Sequence, residues 1–93
     1  MEIIQENDER RGFFKAVADG KEAGLMTYTR AGSTKFIIDH TEVNPQFKGK
    51  GVGLELVMKA VDYARAKQLK IMPLCPFAKS VFDKKPEIRD VLF

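Results

Sequence analysis

The sequence predicts an α+β domain built on one mixed, mostly antiparallel sheet of about five strands, with a long helix between strands four and five and a second short helix after them. Three observations carry this. The first half reads as four short strand-like runs separated by charged or glycine-bearing turns. The apolar spacing becomes helical after residue 51. A short apolar run closed by proline, "LKIMPL" at 69–74, then returns the chain to a strand.

The elements follow in order. "EIIQ" (2–5) is a short strand and "ENDERRG" (6–12) a charged turn. "FFKAVA" (13–18) is the second strand, closed by the hairpin signal Asp19-Gly20. "EAGLMTYTR" (22–30) is the third, and "AGST" (31–34) turns it into "KFIIDHTEV" (35–43). These four strands read as an antiparallel meander. Along the fourth, strict alternation groups Phe36, Ile38, His40 and Glu42 on one face. Over 52–67, Leu54, Val57, Val61 and Ala64 recur at helical spacing, widened by Leu56, Ala60 and Tyr63. "PFAKSVFDKK" (76–85) is the shorter helix, stopped by Pro86. "EIRDVLF" is open to one more turn or a short strand.

Ninety-three residues imply one domain, 1–93. A chain of this size buries only about 60–65% of its unfolded surface, so the core is thin. The net charge of +3 suits phosphate-bearing ligands. Nucleic acid is set aside, because the aromatic residues lack an interleaved basic pattern. No apolar run approaches the ~18 residues of a membrane helix, and the acidic start "MEIIQENDERR" is unlike a signal peptide. A single cysteine rules out an internal disulfide and a multi-cysteine metal site, and no metal is expected. The expected location is the cytoplasm, and the expected state a monomer or weak dimer.

The stretch "NPQFKGKGVGLELV" (44–57) carries the chemistry. Gly49, Gly51 and Gly53 stand at alternate positions where a strand runs into the long helix. A helix N-terminus offers unpaired N–H groups and partial positive charge. Glycines admit an anion to the backbone, and Lys48 and Lys50 add charge. A phosphate or pyrophosphate site is the physical expectation. The spacing fits neither a Walker loop nor the dinucleotide fingerprint, whose third glycine is here Leu54.

"KGKGVGLELV" resembles the acyl-CoA pyrophosphate loop of the GCN5-related N-acetyltransferases. The family pattern, Gln/Arg-x-x-Gly-x-Gly/Ala, reads here as Lys48-x-x-Gly51-x-Gly53 with Leu56 in the helix. Gln46-x-x-Gly49-x-Gly51 also fits but puts the apolar helix positions out of step. Lysine in the first place keeps a cation and loses the planar side chain. "HTEV" (40–43), the loop and "PLCPF" (73–77), in that order, look like the small YjdJ-type subgroup. The resemblance implies a minimal version of that fold, acetyl-CoA as cosubstrate and an amine acceptor, a protein, peptide or small molecule. It also implies that strands four and five splay apart around the pantetheine arm. Glu42 and Val43 would then offer backbone partners, and Lys48, Gly49, Lys50, Gly51, Val52 and Gly53 the pyrophosphate site.

Three side chains are candidates for catalysis. Cys75, between Pro73 and Pro76, should be extended and should cap the second helix. Its roles range from a buried small hydrophobe to acyl acceptor, proton donor to the leaving thiolate, or lining of the acetyl pocket. His40 is the only histidine, the side-chain type that titrates near neutrality, and its strand face favours partial burial. Glu42 points the same way and could orient or replace it. Phe82 stands where the family often carries a tyrosine acid and cannot donate a proton. The expected activity is N-acetyl transfer, with a catalytically silent acyl-CoA-binding module as the alternative.

Overall fold

A computed structural model describes residues 1–93. Four strands, β1 (Glu2–Asn7), β2 (Arg11–Ala18), β3 (Lys21–Ala31) and β4 (Lys35–Val43), pair as an antiparallel meander. The first turn is shorter than its run of charges predicts. Asp8 Oδ1 accepts the N–H groups of Arg10 and Arg11 at 2.8 Å each, so β1 and β2 close around three residues. Asp19 and Gly20 both have positive φ, 53° and 73°, as the tight hairpin turn requires. The chain then forms a short 3-10 turn at Pro45–Phe47, the long helix α1 (Val52–Lys67), β5 (Lys70–Pro73) and α2 (Pro76–Lys84). β5 lies parallel to β4, paired from Lys35↔Lys70 to Ile38↔Pro73, so the spatial order is β1-β2-β3-β4-β5.

Both helices cover one face of the sheet. Phe14, Ala16, Met26, Tyr28, Phe36, Ile38 and Ile71 meet Leu56, Val57, Ala60, Val61 and Ala64 in a single core, none more than 3% exposed. Tyr63 packs among the rings of Phe14, Tyr28 and Phe36 at 5.6–6.1 Å. Leu54, read as part of this stripe, is instead 38% exposed on the first turn of α1. The segment after Pro86 does both things open to it: a 3-10 turn at Pro86–Val91, then a single bridge from Leu92 to Ile71. Arg65 of α1 clamps it through Asp90. No helix is long and apolar enough to cross a membrane.

One irregularity in β4 decides where the site residues go. Thr27 pairs with His40 but Tyr28 pairs with Ile38, which leaves Asp39 as an extra, bulged residue. A one-residue insertion exchanges the two faces beyond it. His40 and Glu42 therefore leave the Phe36–Ile38 face and stand in solvent, 62% and 71% exposed. The partial burial expected of His40 is wrong for this reason. Thr41 turns inward in their place.

Candidate functional site

β5 ends at Pro73, which has no N–H to continue a ladder. The N–H groups of Leu74 and Cys75 both converge on the Ile38 carbonyl at 3.2 Å as the chain swings into α2. β4 runs on for five more residues, Asp39–Val43, with no strand on that side. The two strands thus part, as the resemblance implies. Asn44 N–H donates to Ala23 O at 2.8 Å, so the antiparallel alternation turns the backbone groups of His40 and Glu42 toward β3. Those of Thr41 and Val43 face the open side. Val43 is where the sequence places a backbone partner; Glu42 is not, and Thr41 takes that position.

The chain leaves this edge through a loop that is held at both ends. Asn44 accepts from Gln46 N–H at 3.0 Å and donates to Glu22 O at 3.1 Å, and Phe47 is buried. Beyond it, Gly49 and Gly51 have φ of 81° and 77°, and a Cβ on either would meet nothing within 4 Å. Lys50 N–H is used by Phe47 O, and the first helical bond runs from Glu55 N–H to Gly51 O. The N–H groups of Gly49, Gly51, Val52, Gly53 and Leu54 have no acceptor within the chain. This is a cluster of main-chain donors on open ground, flanked by the exposed Lys48 and Lys50. The donor set fits a pyrophosphate.

Gly53 is glycine for another reason. A Cβ there would lie 2.4 Å from the Phe77 ring, which reaches across from α2. Its N–H belongs with the other donors, but its missing side chain makes room for Phe77. The glycines whose backbone requires glycine are Gly49 and Gly51. Gly51 at the cap with positive φ and Gly53 with ordinary helical backbone in the first turn of α1 suit the Gly and Gly/Ala places of the Lys48-x-x-Gly51-x-Gly53 spacing.

Cys75 caps α2, with Lys79 N–H on its carbonyl at 3.0 Å. Its thiol is buried and donates to Thr41 Oγ1 at 3.3 Å. His40 Nε2 and Glu42 Oε1 lie 3.4 Å apart on the opposite face of β4. The three candidate side chains are therefore split by the strand, the thiol on the helical side and the His–Glu pair outside, both beside the open edge. Sequence reasoning missed Thr41 and Phe77. Thr41 carried no signal, because strict alternation assigns it to the other face; Phe77 carried only an exposed aromatic at a helix start. Phe82 is 1% exposed and belongs to the core.

Residues 13–91 match the model of the family described as GCN5-related N-acetyl-transferase. Among curated proteins, Protein NATD1 of Xenopus tropicalis is 26% identical over 85 residues, covering 90% of this chain and 78% of that one. Among solved structures, a GCN5-like protein of Staphylococcus aureus is 29% identical with a TM-score of 0.71, covering 97% of this chain and 87% of that one. A ribosomal-protein-alanine N-acetyltransferase of Brucella melitensis biovar Abortus 2308 is 20% identical with a TM-score of 0.72 and shares the fold. This chain, 83% of it aligned, spans 62% of that protein. The match over 79 of 93 residues, on a chain whose fold and parted strands agree with it, establishes that this protein belongs to the GCN5-related N-acetyltransferase family.

Proposed function

We propose that the chain transfers an acetyl group from acetyl-CoA to an amine, as a single-domain member of the small YjdJ-type subgroup. One observation supports this most. Backbone groups of Thr41 and Val43 face the open edge of β4, and a few residues on, past a hydrogen-bonded turn, the N–H groups of Gly49, Gly51, Val52, Gly53 and Leu54 are without an acceptor. Such an arrangement suits an amide-bearing arm followed by a pyrophosphate. In this reading Val43 binds the arm, Gly49, Gly51, Val52 and Gly53 bind the pyrophosphate through N–H, and Lys48 and Lys50 oppose its charge.

Acetyl-CoA supplies the activated thioester carbonyl. The Thr41 N–H is the donor that would polarise its oxygen. The His40–Glu42 pair takes the proton of the attacking amine, directly or through one water. Cys75 gives its thiol proton to the departing CoA sulfur and regains one from solvent after release. Direct transfer is favoured over an acetyl-Cys75 intermediate, because Cys75 is buried and its thiol is already engaged with Thr41.

Calorimetric titration with acetyl-CoA tests the reading, followed by turnover with a panel of amines. Saturable one-to-one binding with turnover supports it; no binding at millimolar ligand overturns it. Binding without turnover would favour the silent acyl-CoA module, which the buried Phe82 at the family's tyrosine position already argues for.

A further inference from the structure

All the helical packing lies on one face of the sheet, and the other face carries nothing. Antiparallel sheets with one solvated face usually make that face polar. Here the register places Ile4, Phe13, Val17, Leu25, Ile37 and Met72 on it. Each is only half buried, and none packs against the core cluster. An apolar sheet face left uncovered marks an interaction surface.

Charge says what covers it. The pairing aligns two rows across four strands: Glu6–Phe13–Thr27–His40 and Ile4–Lys15–Leu25–Glu42. Both rows begin at the β1 edge and end at the His–Glu pair beside the bulge. An open groove of about 780 Å³ lies along the first, lined by Glu6, Asp8, Phe13, Thr27 and Asp39 with Arg11 as its cation. Asp39 is held by the Thr29 hydroxyl at 2.6 Å, and Asp8 by two backbone N–H groups. Lys15 lies over the Phe13 ring, 5.9 Å from its centroid. Three carboxylates thus outnumber the two cations Arg11 and Lys15 here, on a chain whose net charge is +3. A second copy would set these carboxylates against one another, and an open face cannot enclose a small amine as small-ligand sites do. The track across four strands is about 14 Å, the reach of four extended residues.

We propose that this outer face docks an extended, basic polypeptide segment, which lies across the rows from Glu6 to His40 and brings one of its amines to the bulge of β4. The assignment rests on the acetyltransferase reading for its amine, while the docking itself is measured without acetyl-CoA. Basic groups meet Glu6, Asp8 and Asp39, and apolar groups between them meet Phe13 and Leu25.

The test titrates isotope-labelled protein with a lysine-rich peptide of alternating basic and apolar residues, with an acidic peptide and with spermidine. The basic peptide should perturb the amides of Phe13, Thr27, Asp39 and His40, and its binding should weaken with salt. The double variant Glu6→Lys, Asp39→Lys should lose about tenfold or more in peptide affinity. Its unchanged acetyl-CoA titration would show that the fold survives. Perturbations confined to the helical face, equal affinity in the double variant, spermidine binding as well as the peptide, or outer-face shifts on concentration alone would each overturn the proposal. Peptide docking in a protein that ignores acetyl-CoA would uphold the docking and sink the transferase reading.

Discussion

The Cys75 thiol donates to the Thr41 hydroxyl at 3.3 Å, across the point where β4 and β5 separate. The pair exists only because Asp39 is bulged out of β4, turning Thr41 inward beneath the cap of α2. Cys75→Ala removes the proton source and should lower kcat by about 100-fold, the contribution of a positioned acid. Acetyl-CoA affinity should stay the same, because the main-chain donors are untouched. Full activity in Cys75→Ala would return the residue to packing. A stable acetyl adduct on wild-type Cys75, seen by mass spectrometry when acceptor is withheld, would instead make it the acyl acceptor.

Gly53 and Phe77 make a second pair that can be tested by coupling. The Cβ of Gly53→Ala would sit 2.4 Å from the ring, so α2 or the ring must move. That overpacking should cost about 1–3 kcal/mol. Adding Phe77→Leu should restore most of it, since the residues are in contact and their effects are not additive. Denaturant midpoints of the two single variants and the double measure this. Additive losses would mean that Phe77 is not what Gly53 makes room for.

Most of the fold could be read because each element announces its own period. Leu56, Val57, Ala60, Val61 and Ala64 form a helical stripe by spacing alone, and all are fully buried. The site was less legible, for two physical reasons. Strict alternation is the geometric default through Phe36–Val43, and no residue in that stretch marks by its type that Asp39 is bulged. His40, Thr41 and Glu42 were therefore given the wrong faces. The reason for Gly53 lies in Phe77, 24 positions away, and no local spacing can state it. The donor cluster at 49–54 was foreseen because glycines at a strand-to-helix junction announce it locally.

Gly51 separates backbone strain from ligand binding. Its φ of 77° costs a side-chain-bearing residue about 1–2 kcal/mol, yet a Cβ there meets no atom. Gly51→Ala should thus lower stability by that amount, with a loss of acetyl-CoA affinity well below that of a charged side chain at the same place. Gly51→Glu adds a carboxylate among the free N–H groups, where it competes with and repels a pyrophosphate. Its affinity should fall at least about 100-fold, as expected for a like charge within a binding site. Equal affinities of the two variants, measured by calorimetry, would move the pyrophosphate away from this loop.

The clamp of Arg65 on Asp90 predicts how stability responds to acid. Arg65 donates to both Asp90 oxygens, at 2.8 and 3.1 Å, and to Glu87 O at 3.1 Å, tying the last 3-10 turn to α1. The Arg65 hydrogen bond, and then its charge, hold the Asp90 carboxyl below its ordinary value of 3.8. The folded state therefore binds the Asp90 proton more weakly than the unfolded state does. Its contribution is present above the ordinary value and is lost as pH falls through the lower folded one. Both partners are about half exposed, so salt should weaken the effect. Thermal melts of wild type and Asp90→Asn between about pH 2 and 6 should show a gap that closes in acid and narrows in high salt. A gap that stayed constant with pH would assign the clamp's contribution to packing, with the charge adding nothing.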